Sequence, residues 1–392
     1  MPSSNNARKS MLALALGGFI CFALLYTTQP LLPQLSTHFG VSPASASLSV
    51  TAGTSAMSLL LIPFGLMADR YGREKMMRLG LTAAGIFSIA SAFATDFSLL
   101  VLFRIGVGAS IAAYPALAMG YLGDEIPQET HGKAMGLYIS ANALGGMSGR
   151  FVAGFLSECF DWRTALLLLG VAGFLAALVF WRALPSAQRF SPGSLQPAIL
   201  LRDVRKLFSD PCLPWLFVTG FLIMGSFLGI YNYLGFRLSA APYFLGPTAI
   251  GAFFLLYAVG SVSSTWAGQR INRLGRQRLI LYMSLTMSVG VLITLFSSIV
   301  LIIAGLGVFT FGYFGLHAVA SGWVGQRGGT RKSLVSSLYL SSYYLGGSVI
   351  GSATGWPWLH GGWTAVVASL LVYTSALSAI ALRLRHSDEC VR

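Results

Sequence analysis

The chain has 392 residues, 55% of them hydrophobic and only 10% charged, with a mean hydropathy of +0.70. Soluble domains carry about 25% charged residues, so composition excludes an ordinary soluble enzyme or binding module. The formal net charge of +14 invites a nucleic-acid reading, which the placement of the basic residues removes below.

A bilayer span needs about 20 mostly apolar residues, and runs of that length follow one another along the sequence. The first predicted helix covers 11–32. Arg8 and Lys9 precede it, yet the run outlasts a secretory h-region and no Ala-x-Ala site follows, so it reads as a span. Further spans are predicted at 46–67, 79–95, 99–122, 135–157 and 163–182. The stretch 184–211 contains Pro185, Pro192, Gly193, Pro197 and a basic run, and reads as a linker with a short surface helix. Six more spans follow at 213–236, 248–268, 279–297, 300–322, 334–357 and 363–383. The expected fold is an all-α integral membrane protein of 12 transmembrane helices. Its expected parts are a six-helix bundle at 1–183, a cytoplasmic linker at 184–211, and a second bundle with a short tail at 212–392.

With the N-terminus placed in the cytoplasm, 22 of the 26 Lys and Arg fall in cytoplasmic segments. Arg163 and Arg237 fall on the far side, and Arg104 and Arg150 lie within spans. This split is the positive-inside pattern, and it predicts both termini in the cytoplasm. The basic balance therefore reflects topology and contact with the lipid bilayer, and no nucleic-acid partner is expected. Four cysteines form no CxxC pair and no metal-ligand spacing; no metal or cofactor is expected.

The two halves repeat. At an offset of 203, Gly65, Arg70, Gly72 and Arg73 meet Gly268, Arg273, Gly275 and Arg276, while Asp69 becomes Asn272. At an offset of 201, Tyr138, Leu144, Gly145, Gly146, Gly154 and Trp162 meet Tyr339, Leu345, Gly346, Gly347, Gly355 and Trp363. The loop copies lie between the second and third spans of each half, and the glycine copies start in the fifth. Such parallel repeats are expected of a transporter that binds its substrate near the midplane and alternates access.

Gly65, Asp69, Arg70, Gly72, Arg73 and Lys75 resemble the loop between helices 2 and 3 of the major facilitator superfamily. Arg104-Ile-Gly-Val-Gly108 is similar to the Arg-x-x-x-Gly motif of that family's drug and metabolite antiporters. Asp124 and Glu125, followed by Lys133, resemble its acidic-then-basic loop after helix 4. Asn142-Ala-Leu-Gly145-Gly146-Met-Ser-Gly149-Arg150 resembles the glycine-rich antiporter motif, without its proline and with an arginine added. The resemblance covers essentially the whole chain, and extends to bacterial inner-membrane efflux proteins of the acriflavine-sensitivity permease type. It implies a latch built from Gly65, Asp69, Arg70, Gly72 and Arg73, the Asp69 carboxylate favouring the positive N-terminus of a neighbouring helix.

Arg104 and Arg150 are candidates for coupling or gating, because a charge inside a span is costly and faces protein or water. The second half reads Gly347-x-x-x-Gly351-x-x-x-Gly355, whereas the first reads Gly146-x-x-x-Arg150-x-x-x-Gly154. One small-residue packing face thus has an arginine at its centre; pairing with backbone carbonyls and snorkelling to the membrane rim are the structural alternatives. No Asp or Glu lies near the middle of any predicted span. Candidates for proton coupling are therefore Asp69, Asp124 and His317. The expected cavity lining is Tyr26, Gln29, Tyr114, Asn142, Tyr231, Asn232, Tyr233, Tyr343 and Tyr344, which suits an amphipathic organic solute; ordinary helix packing is the alternative.

The function expected is a monomeric, secondary active transporter in the bacterial inner membrane. It would export small amphipathic organic molecules, drugs or metabolites, with protons as the coupling ion. A proton-coupled importer of a sugar or organic acid is the second reading. No phosphate loop, HExxH or GxSxG appears, so an enzyme is not expected.

Overall fold

The structure is a computed structural model that describes residues 4–386 apart from 113, 127 and 188–196. In chain order the helices are α1 (Ser4–Leu25), α2 (Leu32–Phe39), α3 (Pro43–Tyr71), α4 (Arg73–Ser91), α5 (Phe97–Ile111), α6 (Tyr114–Glu125), α7 (Gln128–Cys159) and α8 (Trp162–Ala183). There follow α9 (Pro197–Phe208), α10 (Leu213–Ser239), α11 (Pro247–Ala252), α12 (Tyr257–Leu274), α13 (Arg276–Ile293), α14 (Ile299–Arg327), α15 (Lys332–Ala353) and α16 (Gly355–His386). No strand occurs among the described residues. Segments α1–α2, α5–α6 and α11–α12 each count as one interrupted rod, which makes twelve long rods and one short helix, α9, among the described residues.

Over the described residues, eight of these twelve rods are long and apolar enough to cross a membrane. The other four are α4, α7, α13 and α15, the third and fifth rods of each half. Their first turns carry the basic loop residues, such as Arg73, Lys75, Arg276 and Lys332. The repeat thus extends to which rods are the more polar.

Local chemistry explains the interruptions of α1–α2 and α5–α6. Pro30 has no N–H for the Tyr26 carbonyl and Pro33 none for Gln29, so α1 stops at Leu25 and a 3-10 turn, Gln29–Leu31, bridges to α2. The sequence predicts one continuous span there, and the prolines divide it. Pro115 stands in the same relation to Ile111, where α5 ends. In α16 the backbone leaves helical geometry at Gly361 and Gly362, the point at which the eleventh predicted span gives way to the twelfth.

The chain forms two compact units. One contains residues 1–41, 48–196 and 246–251; the other contains 42–47, 197–245 and 252–392. Within the first, α1 packs on α7; within the second, α10 packs on α15. These packings are copies of each other. A Cβ on Gly145 would strike the Phe19 backbone, and a Cβ on Gly346 would strike that of Phe221. The small-residue faces of the repeat are thus the places where backbones touch.

Arg163 and Arg237, the two basic residues outside the positive-inside pattern, cap helix ends. Arg163 donates to the Ala92 and Ala94 carbonyls just beyond α4, at 2.9 and 2.8 Å, with its guanidinium over Trp162. Arg237 donates to the Thr294 and Phe296 carbonyls just beyond α13 and lies over Trp363. Cations favour such carbonyl-rich C-terminal ends.

Candidate functional site

The break between α1 and α2 gathers polar groups inside the first unit. Arg104, on α5, is fully buried. Its Nε donates to the Ser49 carbonyl at 3.2 Å, and its Nη2 donates to the carbonyls of Leu24, at 2.9 Å, and Leu25. Those last carbonyls of α1 have no helical partner because the helix stops there. One turn along α5, Gly108 lies so close to the Gly53 backbone that any side chain would collide. The Arg-x-x-x-Gly spacing therefore does two jobs: the arginine holds the broken end of α1, and the glycine lets α5 approach α3.

Arg150, on α7, is 1% exposed. Its Nε donates to Gln29 Oε1 at 2.6 Å and its Nη1 to the Gly146 carbonyl at 2.6 Å. Its guanidinium carbon lies 3.9 Å from the Tyr26 ring centroid, in cation–π range. Tyr26 and Gln29 both come from the α1–α2 break. The structure thus joins three predicted site residues, Tyr26, Gln29 and Arg150, and sets Arg104 on the same break.

In the second unit the predicted residues gather as an aromatic cluster. His317 Nδ1 and the Tyr339 hydroxyl share a hydrogen bond at 3.0 Å, and the His317 ring lies 4.6 Å from that of Tyr343. The Tyr343 hydroxyl bonds that of Tyr313, which reaches Met224 Sδ at 3.4 Å. Phe227 stacks on Tyr313 at 4.3 Å, and Tyr231 continues the cluster, bonded to Thr310 at 3.0 Å. Tyr344 adds an edge-on contact to Tyr343. Phe227, Met224, Thr310 and Tyr339 were absent from the predicted lining. A signal exists for Phe227 and Tyr339: Phe227–Tyr231, Tyr313–His317 and Tyr339–Tyr343 are all i,i+4 ring pairs, which share a helix face.

Other predicted residues lie apart. Tyr114 donates to the Leu14 carbonyl at 3.0 Å and packs against Gly17. Asn142 and Tyr138 pack against Gly18. Tyr233 is buried beside Phe236 and Trp358, its hydroxyl 3.4 Å from the Ser352 carbonyl, and Asn232 is buried next to it in sequence.

The loop motif is built twice with one difference. Gly72 and Gly275 precede α4 and α13 with φ of 97° and 77°, a conformation that favours glycine. Arg73 forms an ion pair with Asp124 at the end of α6; Arg276 bonds Gln326 at the end of α14. The second copy keeps the geometry and loses the carboxylate. Arg70 lies over the Tyr71 ring at 5.5 Å. Gly65, the first residue of the motif, faces open space: nothing lies within 4 Å of a Cβ placed there. The side chain of Asp69 lies outside the described residues. No group of residues able to hold a metal ion occurs among the described residues.

Twelve rods, polar groups at breaks inside apolar helices and a duplicated basic loop define a multi-pass membrane transporter. Comparison with known proteins gives the family. The profile of the Major Facilitator Superfamily matches residues 14–352, and the chain belongs to that superfamily. It is 40% identical over 375 residues to the inner membrane transport protein YnfM of Escherichia coli K12, covering 96% of this chain and 90% of that protein. It is 38% identical over 370 residues to the uncharacterized MFS-type transporter YybF of Bacillus subtilis, covering 93% and 90%. Among solved structures it is similar to a bacterial homologue of the human lysosomal transporter Spinster, inward-facing and unoccupied, with a TM-score of 0.80 at 16% identity over 97% of each chain. It is also similar to a D-xylose–proton symporter, with a TM-score of 0.72 at 16% identity over 96% of this chain and 97% of that one.

Proposed function

We propose that this chain is a secondary active transporter that exports small amphipathic organic molecules by alternating access, driven by protons. The observation that carries the reading is the aromatic cluster of Phe227, Tyr231, Tyr313, His317 and Tyr343, in which ring faces alternate with hydroxyls inside one unit. Flat, partly polar groups of this kind accept solutes with an apolar body and a few polar atoms. The broken first rod supports it. Unwound segments inside spans are where transporters bind and switch, and here one is held by Arg104 and Arg150.

Export is favoured by α7, whose Gly145 and Gly149 meet the α1 backbone directly, in line with the antiporter-like motif. His317 brings an imidazole into the aromatic cluster, and with Asp69 and Asp124 it is assigned to proton coupling. Asp69 is further assigned to the latch. The positive-inside pattern of the basic loops supports both termini in the cytoplasm of a bacterial cell, and the proposed transporter works as a monomer.

The test is growth and accumulation profiling over a panel of amphipathic compounds in an efflux-deficient bacterial host, with and without an uncoupler. Expression should lower accumulation of at least one compound, and the uncoupler should restore it. Uncoupler-sensitive accumulation of a compound on expression reverses the direction. No effect of the uncoupler removes the proton.

A further inference from the structure

The linker helix α9 lies outside the membrane-spanning rods. Its twelve residues are too few, and Arg202, Asp203, Arg205 and Lys206 too polar, for a span. It is nevertheless seated firmly on the second unit. Leu207 is buried, and the Phe208 ring meets Phe217 edge-on at 5.5 Å. Asp203 pairs with Arg331 at 2.8 Å, next to the start of α15. Immediately after α9, Asp210 pairs with Arg327 at 3.1 Å and accepts the backbone N–H groups of Cys212 and Leu213, capping α10. These ties fix the rotation of α9 about its axis.

That rotation leaves an unusual stripe outside. Leu201 is 71% exposed and Phe208 is 52% exposed. Seven residues apart, they lie on one face of the helix, with Arg205 between them. Arg202 and Lys206 flank the stripe and are also exposed. Large apolar side chains on the other helices have bilayer to meet; those on α9 do not, unless α9 lies in the membrane surface. An apolar stripe bordered by Lys and Arg is the pattern of a helix lying in the interfacial plane, apolar side down, with its cations among anionic headgroups.

We infer that the exposed face of α9 is a binding surface for anionic phospholipid, with Leu201 and Phe208 entering the acyl boundary and Arg202, Arg205 and Lys206 holding the headgroups. Through Asp203–Arg331 and Asp210–Arg327 the same helix is tied to the turn between α14 and α15, so lipid held on one face of α9 bears on that turn through the other. The inference needs only that the protein is a multi-pass membrane transporter, and its test does not involve transport.

The full-length chain carrying Leu201→p-benzoylphenylalanine is reconstituted in vesicles of phosphatidylethanolamine with phosphatidylglycerol, or of phosphatidylethanolamine alone. It is photolysed and its adducts are identified by mass spectrometry. The expected product is a lipid adduct enriched several-fold in phosphatidylglycerol over its share of the vesicle. The triple variant Arg202→Gln/Arg205→Gln/Lys206→Gln, in the same background, should lose the enrichment while remaining monodisperse. An adduct to a second copy, or to another segment of the same chain, overturns the inference. So does a lipid adduct with no phosphatidylglycerol preference. Should the triple variant not fold, the loss of enrichment with rising salt in the unsubstituted protein decides the same question.

Discussion

Arg150 donates its Nε–H to Gln29 Oε1 at 2.6 Å, joining α7 to the one stretch where the first rod is unwound. Nearby glycines of the same helix, Gly145 and Gly149, lie against the α1 backbone. A rigid glycine contact and a long, rotatable arginine contact therefore act on the same neighbour. The arginine is the adjustable one, and it holds a segment joined by 3-10 bonds, from Gln29 N–H to the Tyr26 carbonyl and from Leu31 N–H to that of Thr28.

For Arg150→Ala, transport should fall at least about ten-fold while the protein still folds. Arg150→Lys should recover little, because an ammonium lacks the planar fork that serves Gln29, Gly146 and the Tyr26 ring together. Rates in proteoliposomes at matched protein content decide it, and a wild-type rate for Arg150→Ala removes Arg150 from the mechanism.

Arg104→Ala should act on stability first. It strips three buried carbonyls, of Leu24, Leu25 and Ser49, of a charged donor. Hydrogen bonds to charged groups contribute about 1.5–3 kcal/mol each before non-additivity, so a clear fall in Tm in detergent is expected. An unchanged Tm would mean that the end of α1 is held by something else.

Asp124→Asn makes the first loop resemble the second, in which Arg276 meets Gln326. The Arg73–Asp124 pair is exposed, so its loss should cost under about 1 kcal/mol. Transport should fall nonetheless, as the carboxylate is assigned to coupling. Gln326→Glu should add a second exposed pair and change stability by a similarly small amount. A large loss of stability in Asp124→Asn would make its role structural.

Gly145→Ala and Gly346→Ala should destabilise alike. Each puts a methyl into the backbone of the partner helix, at Phe19 and at Phe221. Overpacking of this kind costs about 1–3 kcal/mol. Comparing their thermal unfolding with that of Gly136→Ala, where the added Cβ meets open space, checks it.

The seating of α9 should depend on acid. Hydrogen bonding and attraction from Arg331 hold the Asp203 carboxyl below the usual carboxylate range. A lowered folded-state pKa stabilises the tie above the ordinary value, about pH 4, and the tie is lost as pH falls through the lowered value. Hydrogen exchange of α9 amides, corrected for intrinsic rates, should be flat from about pH 5 to 8 and rise below about pH 4. In Asp203→Asn the rise should be absent and exchange faster throughout.

Much of the fold was legible in the chain. Runs of apolar residues fix the number and order of rods, because a bilayer leaves few alternatives to a helix. The recurrence of Gly72 at Gly275, and of Gly145 at Gly346, marks the duplicated turns and packing faces, because only glycine tolerates those backbones. Pro30 and Pro115 could have marked the breaks, but a proline within an apolar run is as readily read as a kink. The partners of Arg104 and Arg150 were not legible. They include a backbone carbonyl 80 residues away in the chain and an amide 121 residues away, and neither of these leaves a local pattern.

By itself, then, the sequence determined a twelve-rod membrane protein of two related halves, because span length, charge placement and glycine spacing are local and periodic. Only tertiary structure decided what the unusual residues do. Packing turned Arg163 and Arg237 into helix caps, set Arg104 and Arg150 on one broken helix, gathered the i,i+4 ring pairs of three helices into one cluster, and faced the apolar stripe of α9 and its flanking cations outward. Each of these depends on which groups distant in the chain come into contact, a carbonyl within about 3 Å of a guanidinium, a ring on a ring or a carboxylate on an arginine, and that is settled by the packing of whole helices.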